Sequence, residues 1–370
     1  MWIPGLTRVA RGRRGGSDEA QAECIDMGGR LRKALLGVLM GMALAVSPAL
    51  SAEPLHVGIS FGGELGGAVV KAFMSRYPGI EVTLETVPSE KLNDILKPRR
   101  GQAGTAFDVL WLDSPMECYR LKAAGLLYRY ISPYVRELVN PLQDYDGSFT
   151  AARFGVVGIV QRGEPRPKTP ARWGALPEND QLIVALADPA VSDKAYLIAA
   201  HLREAFSRNF FRELFKHGGR LFKTTGEALA ATAAGTADVA FAVDLDVVRA
   251  RGEASPLVIG YPKELILIPA PVAILDGTPQ LSVARKFVDF ILSPEGQALV
   301  AEYGSLPASP NVTVPERFGL PGLKEMKDRV IESNYARLFA SKQRVINEVA
   351  EAVRAGGKTP RESSRAAATR

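Results

Sequence analysis

The stretch that decides the fold is SVARKFVDFILSPEGQALVAEYGSLPASP, residues 282–310. Ala284, Phe287, Val288, Ile291 and Leu292 recur at helical spacing and make one apolar stripe. Ser293 can cap a second helix, Pro294 suits its first turn, and Gly304 suits its end. The Leu306-Pro307 exit cannot continue a helix, because proline lacks the amide donor. The spacing therefore predicts two packed helices followed by a rigid, extended segment.

Working outward, the chain alternates strand and helix. His56–Ser60 reads as a short strand running into a Gly62-Gly63 turn, and Leu65, Val69 and Phe73 then share one helical face. Ile80, Val82 and Leu84 alternate with Glu81, Thr83 and Glu85, the period of a strand. Leu92, Ile95 and Leu96 mark a further helix, and Phe107–Leu112 a buried strand. This β-α-β-α-β order predicts a parallel, doubly wound sheet. Ser114 to Glu117 spells a capping box with Pro115 at the first helical position. Phe154–Val160 predicts a strand, and 164–170 a proline-rich loop.

A second series starts at the apolar run Leu182–Ala187. Ser192 caps a helix from Asp193 to about Phe206, and Phe210, Phe211, Leu214 and Phe215 mark another. Thr224 with Glu227 makes a second capping box, and Val239–Val243 is a strand ending at Asp244. Leu265–Leu275 is apolar throughout and reads as a crossover. Two β/α series joined by two crossovers predict an α/β clamshell of two lobes, each a doubly wound sheet, closing by a hinge. The expected divisions are a leader at 1–52, a first lobe at 53–152, a second at 153–264, a return at 265–310, C-terminal helices at 311–353 and a basic, disordered tail at 354–370.

The leader reading rests on Arg30, Arg32 and Lys33, followed by the apolar run Ala34–Val46 and small residues at Ala49, Ser51 and Ala52. That pattern predicts a cleavable export signal and a periplasmic protein, with Met27 as a plausible start and an uncut anchor as the alternative. The formal charge is +6, but residues 1–52 carry +3 and residues 354–370 carry +4, which leaves the body near −1. A basic face for nucleic acid is therefore excluded from the expected partners. Of the two cysteines, Cys24 lies in the leader, so Cys118 has no internal disulfide partner after cleavage. No CxxC or HExxH motif occurs, and the three histidines are far apart. Neither a zinc site nor a catalytic constellation is expected, and the chain reads as a non-enzyme acting as a monomer.

Five segments, read in order, resemble one known family. They are FDVLWLDSPMECYRLKAAGLL (107–127), RPKTPARWGALPENDQLIVALADPAVSDKAYL (166–197), EALAATAAGTADVAFAVD (227–244), the 282–310 stretch, and LPGLKEMKDRVIESNYARLFASKQRVINEV (320–349). Together they are similar to the ferric-iron-type family of periplasmic solute-binding proteins, type II binding proteins that serve ABC importers. The resemblance implies solute capture in an interlobe cleft and delivery to an inner-membrane permease. Presentation of the solute to a sensor kinase is the alternative. Ferric-binding members hold the metal with adjacent tyrosines after the strand that corresponds to Val239–Asp244. Here residues 242–246 contain no tyrosine, and none of the ten tyrosines is adjacent to another. The resemblance therefore points to the branch that takes organic anions such as phosphonates and sugar phosphates, with no cofactor and no metal.

Candidate ligand residues lie between strand ends and helix starts, where free amides and the helix dipole favour an anion. They are Ser60, Gly62 and Gly63; Asp113 and Ser114; and Ser192, each serine being equally readable as an ordinary helix cap. In the loop 188–196 the family usually has Ser-Gly-Thr, whereas this chain has Ser192-Asp193-Lys194. Lys194 is expected either to answer Asp193 or to contact the ligand. Asp244 is placed to pair with a ligand ammonium, which would suit a zwitterion, or to cap its helix. Arg153 faces either the cleft or the surface. His201 and His217 read as structural, His56 as no ligand, and Cys118 as a small buried hydrophobe.

Overall fold

Apolar side chains at Leu55, Val57 and Ile59 drive the first strand, β1 (Leu55–Ile59), into the interior, where all three are buried. The computed structural model describes residues 54–87, 106–139, 144–163, 172–207, 209–250, 256–320 and 322–356, all within the unit Glu53–Arg370. The expected leader, the 92–96 helix, the 164–170 loop, Cys24 and the tail beyond 356 lie outside the described residues.

After β1, helix α1 (Gly63–Arg76) buries Leu65, Val69, Val70 and Phe73. It is followed by β2 (Val82–Thr86) and β3 (Val109–Trp111). Both strands run parallel to β1, as the first series predicts. The strand expected from Ile80 begins at Val82 and stays partly exposed because it forms the sheet edge. Helix α2 (Pro115–Ala123) leads to the short β4 (Leu127–Tyr128) and then to the first crossover, β5 (Thr150–Arg162).

The second series comprises β6 (Val184–Ala187), α3 (Asp193–Ala205), α4 (Phe210–Lys216), β7 (Arg220–Phe222), α5 (Thr225–Ala233), β8 (Val239–Val243), α6 (Asp244–Ala250) and β9 (Leu257–Gly260). The second crossover, β10 (Ile266–Leu275), returns to the first series. Helices α7 (Leu281–Leu292) and α8 (Pro294–Glu302), the strand β11 (Leu306–Pro307) and a long final helix α9 (Tyr335–Gly356) complete the fold.

The sheet order is β2-β1-β3-β10-β5-β8-β6-β7. Three parallel strands at each end flank the antiparallel pair β10 and β5, so both crossovers belong to one continuous sheet. One apolar core surrounds β1 with α1 and α7, and another surrounds β6 and β8 with α3, α4 and α9.

The 282–310 stretch folds as its pattern requires. The α7 stripe buries Phe287 against Phe73 of α1, with ring centroids 5.0 Å apart. Ser293 accepts from the Gly296 amide at 3.2 Å, and a Cβ on Gly296 would lie 2.1 Å from the Phe290 carbonyl, so only glycine fits there. Gln297 donates to the Ala152 and Ile291 carbonyls and accepts from the Ser309 amide, which fastens the exit to β5. Leu306 and Pro307 then pair with Phe154 and Arg153.

Local chemistry departs from expectation in four places. Ser114 accepts from the Met116 amide, but Glu117 turns to Arg120 rather than closing the box. Thr224 accepts from the Glu227 amide, while Glu227 reaches back to the Lys223 amide, one residue early. The first crossover starts at Thr150 rather than Phe154. Helix α9 runs three residues past 353 to Gly356, which is buried against the Phe215 backbone.

Candidate functional site

Parallel strands bring their carboxyl ends to one edge, and the chain places a hydroxyl or a charge beyond four of them. Ile59 and Trp111 are partners in β1 and β3, so Ser60 and Asp113 follow side by side. The Ser60 hydroxyl donates to Asp113 Oδ1 at 2.8 Å and accepts from the Asp113 amide at 2.8 Å. In the second series β6 and β8 are likewise parallel neighbours, and they deliver the first turns of α3 and α6. Lys194, in that turn of α3, reaches Asp246 Oδ1 at 2.8 Å and Asp113 Oδ2 at 2.9 Å. One ammonium thus bridges carboxylates from the two halves of the sheet.

Asp113, Lys194 and Asp246 line a cleft of about 270 Å³, including its open mouth. Burial would raise the Asp113 carboxyl, but Lys194, Arg153 and the Ser60 hydroxyl more than offset it and hold the group below the usual carboxylate range. Burial likewise opposes the charge on Lys194, and Asp113 and Asp246 reverse it, so the ammonium titrates above its ordinary value. Asp193 does not pair with Lys194; Lys342 of α9 takes it instead.

Arg153 lies inside β5 and is 2% exposed. Its guanidinium sits over the Phe61 ring, 4.4 Å from the centroid. Nη1 donates to Ser305 at 3.3 Å, whereas Nε and Nη2 have no partner among the described residues. Arg249 of α6 lies across Gly62, where an added Cβ would come within 3.0 Å of its Nε. Asp244 is 2% exposed and accepts from the Leu245 amide at 2.6 Å and the Val156 amide at 3.3 Å. Burial is the main reason its carboxyl is pushed up to about 7, although both amides and Arg153 pull it down.

Of the residues expected from sequence, Ser60, Asp113 and Lys194 come together in one network, with Gly62 beside it under Arg249. Gly63 opens α1 near Thr86. Ser114 and Ser192 are occupied as helix caps, Ser192 accepting from the Ala195 amide at 3.3 Å. Both Asp244 oxygens serve backbone amides. Arg153 and Arg249 complete the cleft, and only Arg153 carried a signal: a charged residue beside a long apolar run. His201 is buried on the Leu197 carbonyl and His217 on that of Pro177, while the Cys118 thiol is buried and pushed up.

Residues 65–305 match the family model described as bacterial extracellular solute-binding protein. Among solved structures, the chain is similar to AfuA from Actinobacillus pleuropneumoniae with fructose-6-phosphate bound, at 20% identity and a TM-score of 0.68, covering 81% of this chain and 98% of that one. It is also similar to iron-bound HitA from Pseudomonas aeruginosa, at 16% identity and a TM-score of 0.66, covering 80% and 99%. A ferric binding protein from Campylobacter jejuni aligns at 14% identity and a TM-score of 0.67, again covering 80% and 99%. A comparison with curated protein sequences returns no match.

Proposed function

The chain belongs to the bacterial extracellular solute-binding protein family, and from that membership we propose that it captures a small organic anion between its two lobes and delivers it to an ABC importer. Capture needs no catalytic group, and the Ser60–Asp113–Lys194–Asp246 network is arranged to hold charge rather than to move protons. The observation that carries the reading is the charge balance of the cleft. Arg153, Lys194 and the more exposed Arg249 face Asp113 and Asp246, an excess of one positive charge while Asp244 behind them stays protonated. A single anion neutralises it, and in a low-dielectric cleft that attraction is far stronger than in water.

Ferric iron suits this cleft poorly. A hard trivalent cation needs anionic oxygen ligands, and both carboxylates lining the cleft are already bound to Lys194. No tyrosine lies among the residues lining it. Export by the 1–52 leader fits a periplasmic role.

The test is native mass spectrometry of the exported protein, followed by calorimetry with whatever is released. An acidic solute at one per chain is the expected result. A neutral or cationic solute, or a salmon-coloured protein carrying one iron per chain after ferric citrate, would overturn the reading.

A further inference from the structure

Resting on the reading of this cleft as an anion site, we propose that the solute is a small monocarboxylic acid without an amino group, anchored by the Nε–Nη2 edge of Arg153. The edge is the first argument. In a guanidinium, Nε–H and Nη2–H point the same way and match the two coplanar oxygens of a carboxylate. Elsewhere in this chain Arg203 uses that edge on Glu348, with Nε donating to Oε2 and Nη2 to Oε1. Arg172 turns the same edge to Glu264. Arg153 lines the cleft, and its Nε–Nη2 edge is buried and meets no acceptor among the described residues. Buried donors of this kind are rarely left unmade, because the cost falls on the folded state. Its third nitrogen is held by Ser305 and its face by Phe61, so the fork is fixed before a solute arrives.

Charge narrows the class. The lining carries one surplus positive charge, which one carboxylate cancels. A phosphate monoester would bring about −1.5 to −2 and leave negative charge unpaired. The carboxylates lining the cleft are Asp113 and Asp246, and one oxygen of each already meets the Lys194 ammonium. Asp244 is not part of the lining, and each of its oxygens accepts a backbone amide. The ammonium of an amino acid or aminophosphonate would have to share those two carboxylates with Lys194. Gly155, Val243 and Ile268 give the cleft an apolar wall for a short carbon skeleton.

The experiment is calorimetry on the exported protein with lactate, pyruvate and butyrate, set against alanine, aminoethylphosphonate and glucose 6-phosphate. The wild type should bind at least one monocarboxylate, and bind its amino analogue at least ~100-fold more weakly. Arg153→Lys keeps the charge but loses the edge, and should weaken monocarboxylate binding ~10-fold or more. A readout on the wild type covers failure of the variant to fold. The Arg153 Nε–H resonance should shift and gain protection from solvent exchange when the monocarboxylate is added, and stay put with alanine. Tight binding of glucose 6-phosphate or aminoethylphosphonate, or monocarboxylate binding that leaves that resonance unmoved, would overturn the anchor while leaving anion capture standing. Binding of only neutral or cationic solutes would remove both.

Discussion

Asp244 concentrates most of the site's pH sensitivity in one carboxyl group. It follows β8 directly, so its side chain turns into the sheet rather than into water, and only 2% of it is exposed. Burial dominates its titration and lifts it from 3.8 to about 7; Arg153 opposes the shift and Asp246 adds to it. The sign follows from linkage. The folded state binds the proton more tightly than the unfolded chain, so stability is full below about pH 4 and declines as pH rises through about 7. Asp244→Asn removes the titrating group and keeps one amide acceptor. The melting temperature of the wild type should therefore fall relative to that of the variant between pH 5 and pH 8. Ionisation of Asp244 also cancels the surplus charge beside Arg153, so anion affinity should drop over the same interval in the wild type only. Parallel melting curves across that interval would show that Asp244 stays charged throughout.

At the scale of elements, α9 joins the second core as a working part of it. Leu338, Val345, Val349 and Ala352 face α3 and α4, and Gly356 meets the Phe215 backbone. Ending the chain after Gly356 should leave the melting temperature unchanged, since residues 357–370 carry no large apolar side chain. Ending it after Arg344 removes Val345, Val349 and Ala352, and should cost roughly 3–6 kcal/mol, seen as a fall of several degrees or more. Equal melting temperatures for the two truncations would mean that the helix only rests on the surface. The elements that sequence revealed were those with a clear period or cap: α1, α7 and α4 through their apolar faces, α3 through its Ser192 cap, β8 and β6 as short buried runs. What it hid follows from the same physics. Thr150, Ala151 and Ala152 lie between β10 and the α8–β11 segment, buried on both sides, so the opening of β5 shows no alternation to read. Arg153 consequently looked like a residue ahead of a strand, when it is a charge inside one. Asp113, Ser60 and Lys194 were legible because the ends of parallel strands are where α/β sheets gather ligand groups. Arg249 was not, because its place over Gly62 is a contact between distant segments on an exposed helix.

The molecule as a whole is two parallel half-sheets hung on two antiparallel strands, β5 and β10. Backbone ladders hold the crossovers, but the segments beyond the strand ends of the two halves meet through side chains. The Lys194–Asp113 pair is one such meeting, and Arg249 over Gly62 is another. Lys194 is 18% exposed and Asp113 11%, so their attraction is stronger than that of a surface pair and weaker than that of a fully dry one. Lys194→Met should accordingly cost about 1–3 kcal/mol, chiefly by leaving two carboxylates facing each other without their cation. The bridge contributes fully where both partners are charged. Asp113 titrates below 3.8 and Lys194 above 10.5, so the loss should be constant from about pH 4 to pH 10 and vanish only outside that window. Because the bridge spans the cleft, its removal should also loosen closure about the β5–β10 hinge. Small-angle scattering of the ligand-free variant should give a larger radius of gyration than the wild type, and amides near Gly62 should exchange faster. A variant that loses stability while keeping the wild-type radius and exchange would place Lys194 as a strut within a fixed body, and closure would then have to rest on the crossovers alone.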